Sequence, residues 1–296
     1  MYITILDGGM GRELEKMGAP FRQPEWSALA LMKDPSYVMQ AHTNFLEAGA
    51  EVIITNAYAV VPYHIGEEVF SSRGFELAEL AAKLAKEATT EIGNQSKVAG
   101  CIPPIFGSYR PDLFEADRAP EIYKTLIEAQ DKYCDIWLAE TIGSIEEFRS
   151  CFESITKYSN ESKPKWCSFT IEDSLKDGKV HLRSGEIVTD AIIAASETVD
   201  AILFNCSRPE FITLAIQEAS EILKDTNIQT GAYANAFTES HDTESANSGL
   251  TAVRSDLTPS SYLEFALGWI NAGATIIGGC CGTGPEFIKA ISEHFK

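Results

Sequence analysis

The chain has 296 residues, 45% of them hydrophobic and 23% charged, a composition that fits a globular protein of two small domains or one large barrel. A formal net charge of -19 argues against nucleic acid and against an anionic membrane surface, since both need a basic footprint. No apolar run reaches membrane-spanning length, and seven cysteines with no apolar leader ahead of them point to a reducing, cytoplasmic setting rather than a disulfide framework.

Short runs rich in β-branched residues alternate with helical stretches along the chain. Tyr2–Leu6 comes first and opens onto Asp7-Gly8-Gly9. Val38, Ala41, Phe45 and Leu46 then recur at helical spacing, and Glu47-Ala48-Gly49-Ala50 supplies a glycine stop. The second run, Glu51–Thr55, leads into Asn56-Ala57-Tyr58. Leu77, Leu80, Ala81 and Leu84 mark the next helix, and Lys97–Ile102 follows it. A helix start at Ala119-Pro120-Glu121 precedes Ile136–Glu140, where Ile136, Trp137 and Leu138 carry Glu140 to a strand end. Lys165–Ile171, Ala201–Asn205 and Gln229–Tyr233 come next. Ile270-Asn271-Ala272-Gly273 closes a helix before the last run, Thr275–Gly279. Eight such units with no linker between them predict an α/β protein, a single (β/α)₈ TIM barrel forming one domain over residues 1–296.

Active sites of these barrels lie at the C-terminal strand ends. There the sequence puts two carboxylates, Asp7 and Glu140, and three cysteines. Cys280 and Cys281 are adjacent within Gly278-Gly279-Cys280-Cys281-Gly282-Thr283-Gly284-Pro285. Two neighbouring thiolates can share one tetrahedral Zn²⁺ if the backbone bends sharply, which the glycines permit. Cys206 is the best third ligand, because it too follows an apolar strand. Three thiolates leave one position open, as in catalytic rather than structural zinc sites.

Other readings compete. Ordinary buried cysteines are the expectation for Cys101, Cys134, Cys151 and Cys167. The glycines near Cys280 suit a phosphate, but thiolates would repel one. A Schiff-base aldolase lacks a lysine at any strand end. Of the histidines, His42 and His294 fall in helices and His64 and His241 in expected loops. The polar stretch Phe237 to Leu257 reads as a lid or as a segment disordered when empty.

These motifs, in this order, resemble the homocysteine S-methyltransferases, the zinc-dependent group that includes enzymes using S-methylmethionine and betaine. The resemblance covers nearly the whole chain. Asp7-Gly8-Gly9-Met10-Gly11, Trp26-Ser27-Ala28, Thr55-Asn56-Ala57-Tyr58, Ala139-Glu140-Thr141, Asn205-Cys206 and Gly278-Gly279-Cys280-Cys281-Gly282-Thr283 carry it. It implies that Cys206, Cys280 and Cys281 bind Zn²⁺ and that the thiol of homocysteine takes the open position. It further implies that Glu140 and the Asp7-Gly8 segment hold the substrate's amino-acid end. Backbone N–H groups near Gly8 or Thr55 would take its carboxylate, and Tyr58 would border it. Trp26 and Trp269 read as packing aromatics rather than a cage for a cationic donor.

The sequence departs from the family pattern at three places. Arg12 stands where many members have Thr. Tyr233-Ala234-Asn235-Ala236 replaces a Tyr-Pro-Asn run, and Phe287 stands where a His is common. With Lys296 following the last helix, no folate or cobalamin module is expected, which favours a small free methyl donor, S-methylmethionine first. The alternatives are another thiol or selenol as acceptor, or a zinc- or thiol-binding subunit of a multi-protein corrinoid methyltransferase. A homo-oligomer is compatible with the class, though no stretch of sequence marks an interface.

Overall fold

The computed structural model of the chain describes residues 2–93, 95–160, 162–237 and 254–295. Eight parallel strands form one sheet: β1 (Thr4–Ile5), β2 (Val52–Ile54), β3 (Lys97–Ile102), β4 (Ile136–Ile142), β5 (Lys165–Phe169), β6 (Ala201–Asn205), β7 (Gln229–Tyr233) and β8 (Ile276–Ile277). Their order is β1-β8-β7-β6-β5-β4-β3-β2. Between β1 and β2 the seam is drawn shut by a parallel bridge of Leu6 to Val52, with Glu51 N–H donating to Ile5 O and Asp7 N–H to Val52 O. The expected (β/α)₈ barrel is therefore what the chain forms.

The strands read as near-continuous apolar runs because they are covered on both faces, by helices outside and by one another inside. Leu6, Val52, Ala99, Leu138, Trp166, Leu203, Tyr233 and Ile276 pack together as the barrel interior. The larger apolar cluster lies between sheet and helices and includes Phe45, Leu77, Leu126, Phe148, Ile216 and Ile288. Local chemistry fixes the helix starts. Ser144 accepts from Glu147 N–H ahead of helix Ile145–Tyr158, and a reciprocal Thr258–Ser261 capping box opens helix Pro259–Asn271.

β3, β6 and β7 have their expected bounds, while the other five strands and His64 depart from expectation, β2 by losing Glu51 and Thr55 from its ends. β1 and β8 are two residues each, although ladder bonds continue past β8 through Gly278 N–H to Ala232 O. β5 stops at Phe169, because Ile171 turns to bridge Leu182. β4 runs two residues beyond Glu140, with a register shift between Ala139 and Ile142. His64 lies in a short helix, Pro62–Ile65, where its Nδ1 meets Pro24 O at 3.1 Å. His241 and most of the polar stretch after Phe237 fall outside the described residues.

Candidate active site

The three cysteines expected at the rim come together. Cys206 Sγ lies 2.7 Å from Cys280 Sγ and 3.9 Å from Cys281 Sγ, and the three sulfurs sit within 4.8 Å of one another. None is in a disulfide. Cys206 is buried at the end of β6 with φ +49°, a conformation costly for a residue with a side chain, while Cys280 and Cys281 are half-exposed. Hydrogen bonds from Cys206 and then Cys280 draw the Cys281 thiol well below its ordinary range, while contacts within the same cluster hold the Cys280 thiol above it.

A tetrahedral thiolate site with bonds of about 2.3 Å needs sulfurs about 3.8 Å apart. The 3.9 Å pair meets that requirement, and the 2.7 Å pair would have to open by about 1 Å. A close group of three reduced thiols, one buried and two half-exposed, suits a soft divalent metal.

Glycine at positions 8 and 9 has a packing cause. A Cβ on Gly8 would strike Thr283 O and the Phe45 ring, and one on Gly9 would strike Cys280 O. The first loop thus lies directly on the turn that carries two of the sulfurs. The loop after β7 braces the same turn, through Cys280 N–H to Ala234 O and Ala236 N–H to Cys281 O.

Both rim acids are buried and have no basic hydrogen-bond partner among the described residues. Asp7 Oδ2 accepts from Ile54 N–H at 2.8 Å, while its Oδ1 has no hydrogen-bond partner among the described residues. Burial pushes the Asp7 carboxyl well above the usual range, and nearby Glu140 adds to the rise. Glu140 shares the interior face with Ile136 and Leu138 through strand alternation, and the bulge at Glu140-Thr141 sets the angle at which it enters. The Cys101 thiol donates to Glu140 Oε1 at 3.0 Å and the Tyr233 hydroxyl to Oε2 at 3.3 Å. Burial lifts Glu140 to about 7; the two donors act against that lift and the Cys206 charge adds to it.

Tyr58 is half-buried beside this group, its hydroxyl 2.6 Å from Ser108 Oγ. Thr55, expected near the substrate carboxylate, has its own polar groups engaged within the barrel. Its N–H donates to Ala99 O, its hydroxyl donates to Gln130 Oε1 and accepts from Cys101 N–H, so its polar groups are committed to the sheet and to helix Ala119–Gln130. Trp26 and Trp269 pack as expected, the first edge-on to Phe21 and the second fully buried. Phe287 likewise packs edge-on to Tyr262. Arg12 bonds Glu15 and lies 5.8 Å over the Phe237 ring.

Two participants were not expected. Cys134, Cys151 and Cys167 are buried as foreseen, but Cys101 holds Glu140. Tyr109 adopts φ +63°, is covered by the Arg183 guanidinium 5.1 Å from its ring, and sits near enough to the thiols that Cys206 and then Cys281 add to the rise that burial gives its hydroxyl. Its position after β3 was the available signal, since loops at that end of the barrel build the site.

A parallel barrel whose C-terminal rim gathers three thiols beside two buried acids defines an α/β-barrel enzyme with a cysteine cluster able to hold a metal ion. The chain belongs to the homocysteine S-methyltransferase family, whose model matches residues 4–295. It is 30% identical over 318 residues to homocysteine S-methyltransferase 1 of Zea mays, covering 99% of this chain and 94% of that protein. A selenocysteine Se-methyltransferase of Brassica oleracea var. italica is 28% identical, with 98% of this chain and 88% of that protein covered. The metallated form of the Escherichia coli homocysteine methyltransferase MmuM superposes with a TM-score of 0.77 at 26% identity, covering 99% of this chain and 96% of that one.

Proposed function

We propose that this chain transfers a methyl group from a small sulfonium or ammonium donor, S-methylmethionine foremost, to the thiol of L-homocysteine, giving methionine. Zn²⁺ would be held by Cys206, Cys280 and Cys281. The observation that carries the reading is the meeting of three sulfurs within 4.8 Å of one another with two buried acids, Asp7 and Glu140. A thiol-bearing amino acid has a group for each.

When bound, Zn²⁺ would supply the acidity that converts a substrate thiol to thiolate at neutral pH. The chain's own groups do the rest. The open Oδ1 of Asp7 and the Glu140 carboxylate accept from the substrate's ammonium, and that cation in turn favours their ionised forms. Cys101 and Tyr233 hold the Glu140 carboxylate from both oxygens. Tyr58 and Tyr109 wall the site and keep water from the line between donor and sulfur. The donor loses its positive charge as the methyl leaves, so alignment of the two reactants is the protein's main task.

The seven free thiols accord with a reducing compartment, the cytoplasm. A second reading, transfer to a selenol, is favoured by the Brassica relative.

The test is metal content and methionine formation on one reduced sample, given homocysteine with S-methylmethionine, S-adenosylmethionine, betaine or methyl-folate. About one zinc per chain with turnover on one donor is expected. Turnover by metal-free protein would sink the zinc assignment, and zinc without turnover would direct attention to selenocysteine or to a missing corrinoid protein.

A further inference from the structure

Asn205, the last residue of β6, is fully buried between the two halves of the site. Its Oδ1 accepts from Thr141 N–H at 2.9 Å and from the Ser168 hydroxyl at 2.8 Å. Its Nδ2 donates to Thr141 Oγ1 at 2.9 Å and also reaches Cys280 Sγ at 3.9 Å. The amide therefore grips Thr141 by backbone and side chain together. That grip has a job. Thr141 stands at φ +60°, a conformation that a β-branched residue keeps only when its surroundings over-determine it, and this residue completes the bulge that carries Glu140. On the other side Asn205 is bonded in sequence to Cys206, itself at φ +49°, and the turn is fixed by the Ser207 hydroxyl donating to Asn205 O at 2.9 Å.

We propose that Asn205 is a positioning residue that couples the two ends of the acceptor site, its amide setting both the aim of Glu140 at the substrate's amine and the seat of Cys280 and Cys206 on the metal. The proposal rests on the functional reading above. Loss of either the acid or a thiol should damage one end, whereas loss of this amide should damage both. Groups that orient metal ligands are worth roughly 10- to 100-fold in metal affinity.

The test compares Asn205→Ala and Asn205→Asp with the unaltered protein. Zinc affinity is read by chelator competition, homocysteine affinity by calorimetry on zinc-loaded protein, and folding by thermal unfolding. Asn205→Ala should weaken zinc and homocysteine binding together, each roughly 10- to 100-fold. Asn205→Asp keeps acceptors for Thr141 N–H, the Thr141 hydroxyl and Ser168 but has no N–H for Cys280. It should bind homocysteine within about threefold of the unaltered protein while zinc stays weakened by about tenfold. If Asn205→Ala does not fold, the Asn205→Asp pattern decides alone.

Unaltered zinc affinity in either folded variant would overturn the proposal. So would an Asn205→Asp protein that loses homocysteine binding. Unaltered protein that holds zinc yet binds no homocysteine would sink the functional reading instead, with the zinc arm still judging Asn205.

Discussion

At the N-terminal rim of the barrel, Asp131 is buried against Lys163, whose Nζ lies 2.7 Å from its Oδ1, and it accepts further from Ser159 Oγ and Asn160 N–H. At the C-terminal rim, Asp7 and Glu140 are equally buried and no lysine or arginine among the described residues bonds them. The titration follows the partners. Burial alone would raise Asp131, but Lys163, Asn160 and Ser159 more than offset it and hold the carboxyl below the usual range. Asp7 keeps the Ile54 N–H and Glu140 the Cys101 and Tyr233 donors, but without a cation these do not outweigh burial, and both rise. The fold thus neutralises its own charge where it needs only to close the barrel, and leaves two buried acids without a cation at the rim where the proposed substrate would supply one.

The contrast can be broken most sharply at the sulfurs. Cys206→Ser should lose metal and activity together, by at least 1,000-fold in kcat/KM on the scale of lost metal-ion catalysis, while the barrel stays folded by circular dichroism. A metal-free, active Cys206→Ser enzyme would end the mechanism. At the opposite rim, Lys163→Met strands the Asp131 charge and should cost about 3–5 kcal/mol in urea unfolding. The KM for homocysteine should not change, and a raised KM would mean that the two rims are not independent.

Glu140→Gln sharpens the comparison through pH. The folded Glu140 carboxyl binds its proton up to about 7 against 4.5 ordinarily, so the folded state holds more protons than the unfolded one between those values. Stability of the metal-free, substrate-free protein should therefore fall as pH rises from about 4.5 to about 7, and Glu140→Gln should remove about 3 kcal/mol of that fall. An identical pH profile in the variant would refute the assignment of uncompensated charge. The smallest effect is expected from Tyr58→Phe, which loses the bond to Ser108 and should raise the homocysteine KM by no more than about fivefold, one ordinary hydrogen bond.

The strands and the thiol cluster were legible because each rests on a local pattern: β-branched runs for β3, β6 and β7, and cysteines beside glycines at a strand end. What escaped notice depends on neighbours across the sheet. Cys101 looks like any small core residue until β3 and β4 pair, which brings its sulfur to Glu140. Thr55 sits at a strand end as its motif suggests, yet Gln130 on a distant helix claims its hydroxyl. Tyr109 and Thr141 take left-handed backbones that no propensity favours for them, so only the assembled rim reveals why they are there. The β4 bulge belongs to the same class, since a register shift is a property of two strands.

The contact of Gly8 and Gly9 with the Cys280–Thr283 turn bears on how the protein is made. The first loop of the barrel leaves the ribosome long before the two cysteines that rest on it. No nascent chain short of β8 contains all three sulfurs of the cluster, so a metal held as proposed would be acquired only after translation has passed Cys281. Closure of the β1–β8 seam is also among the contacts of greatest sequence separation, and such contacts are slow to form. A chain released before that point would carry Cys206 without Cys280 and Cys281 in an open sheet, its cluster incomplete and its unpaired edges exposed to aggregation.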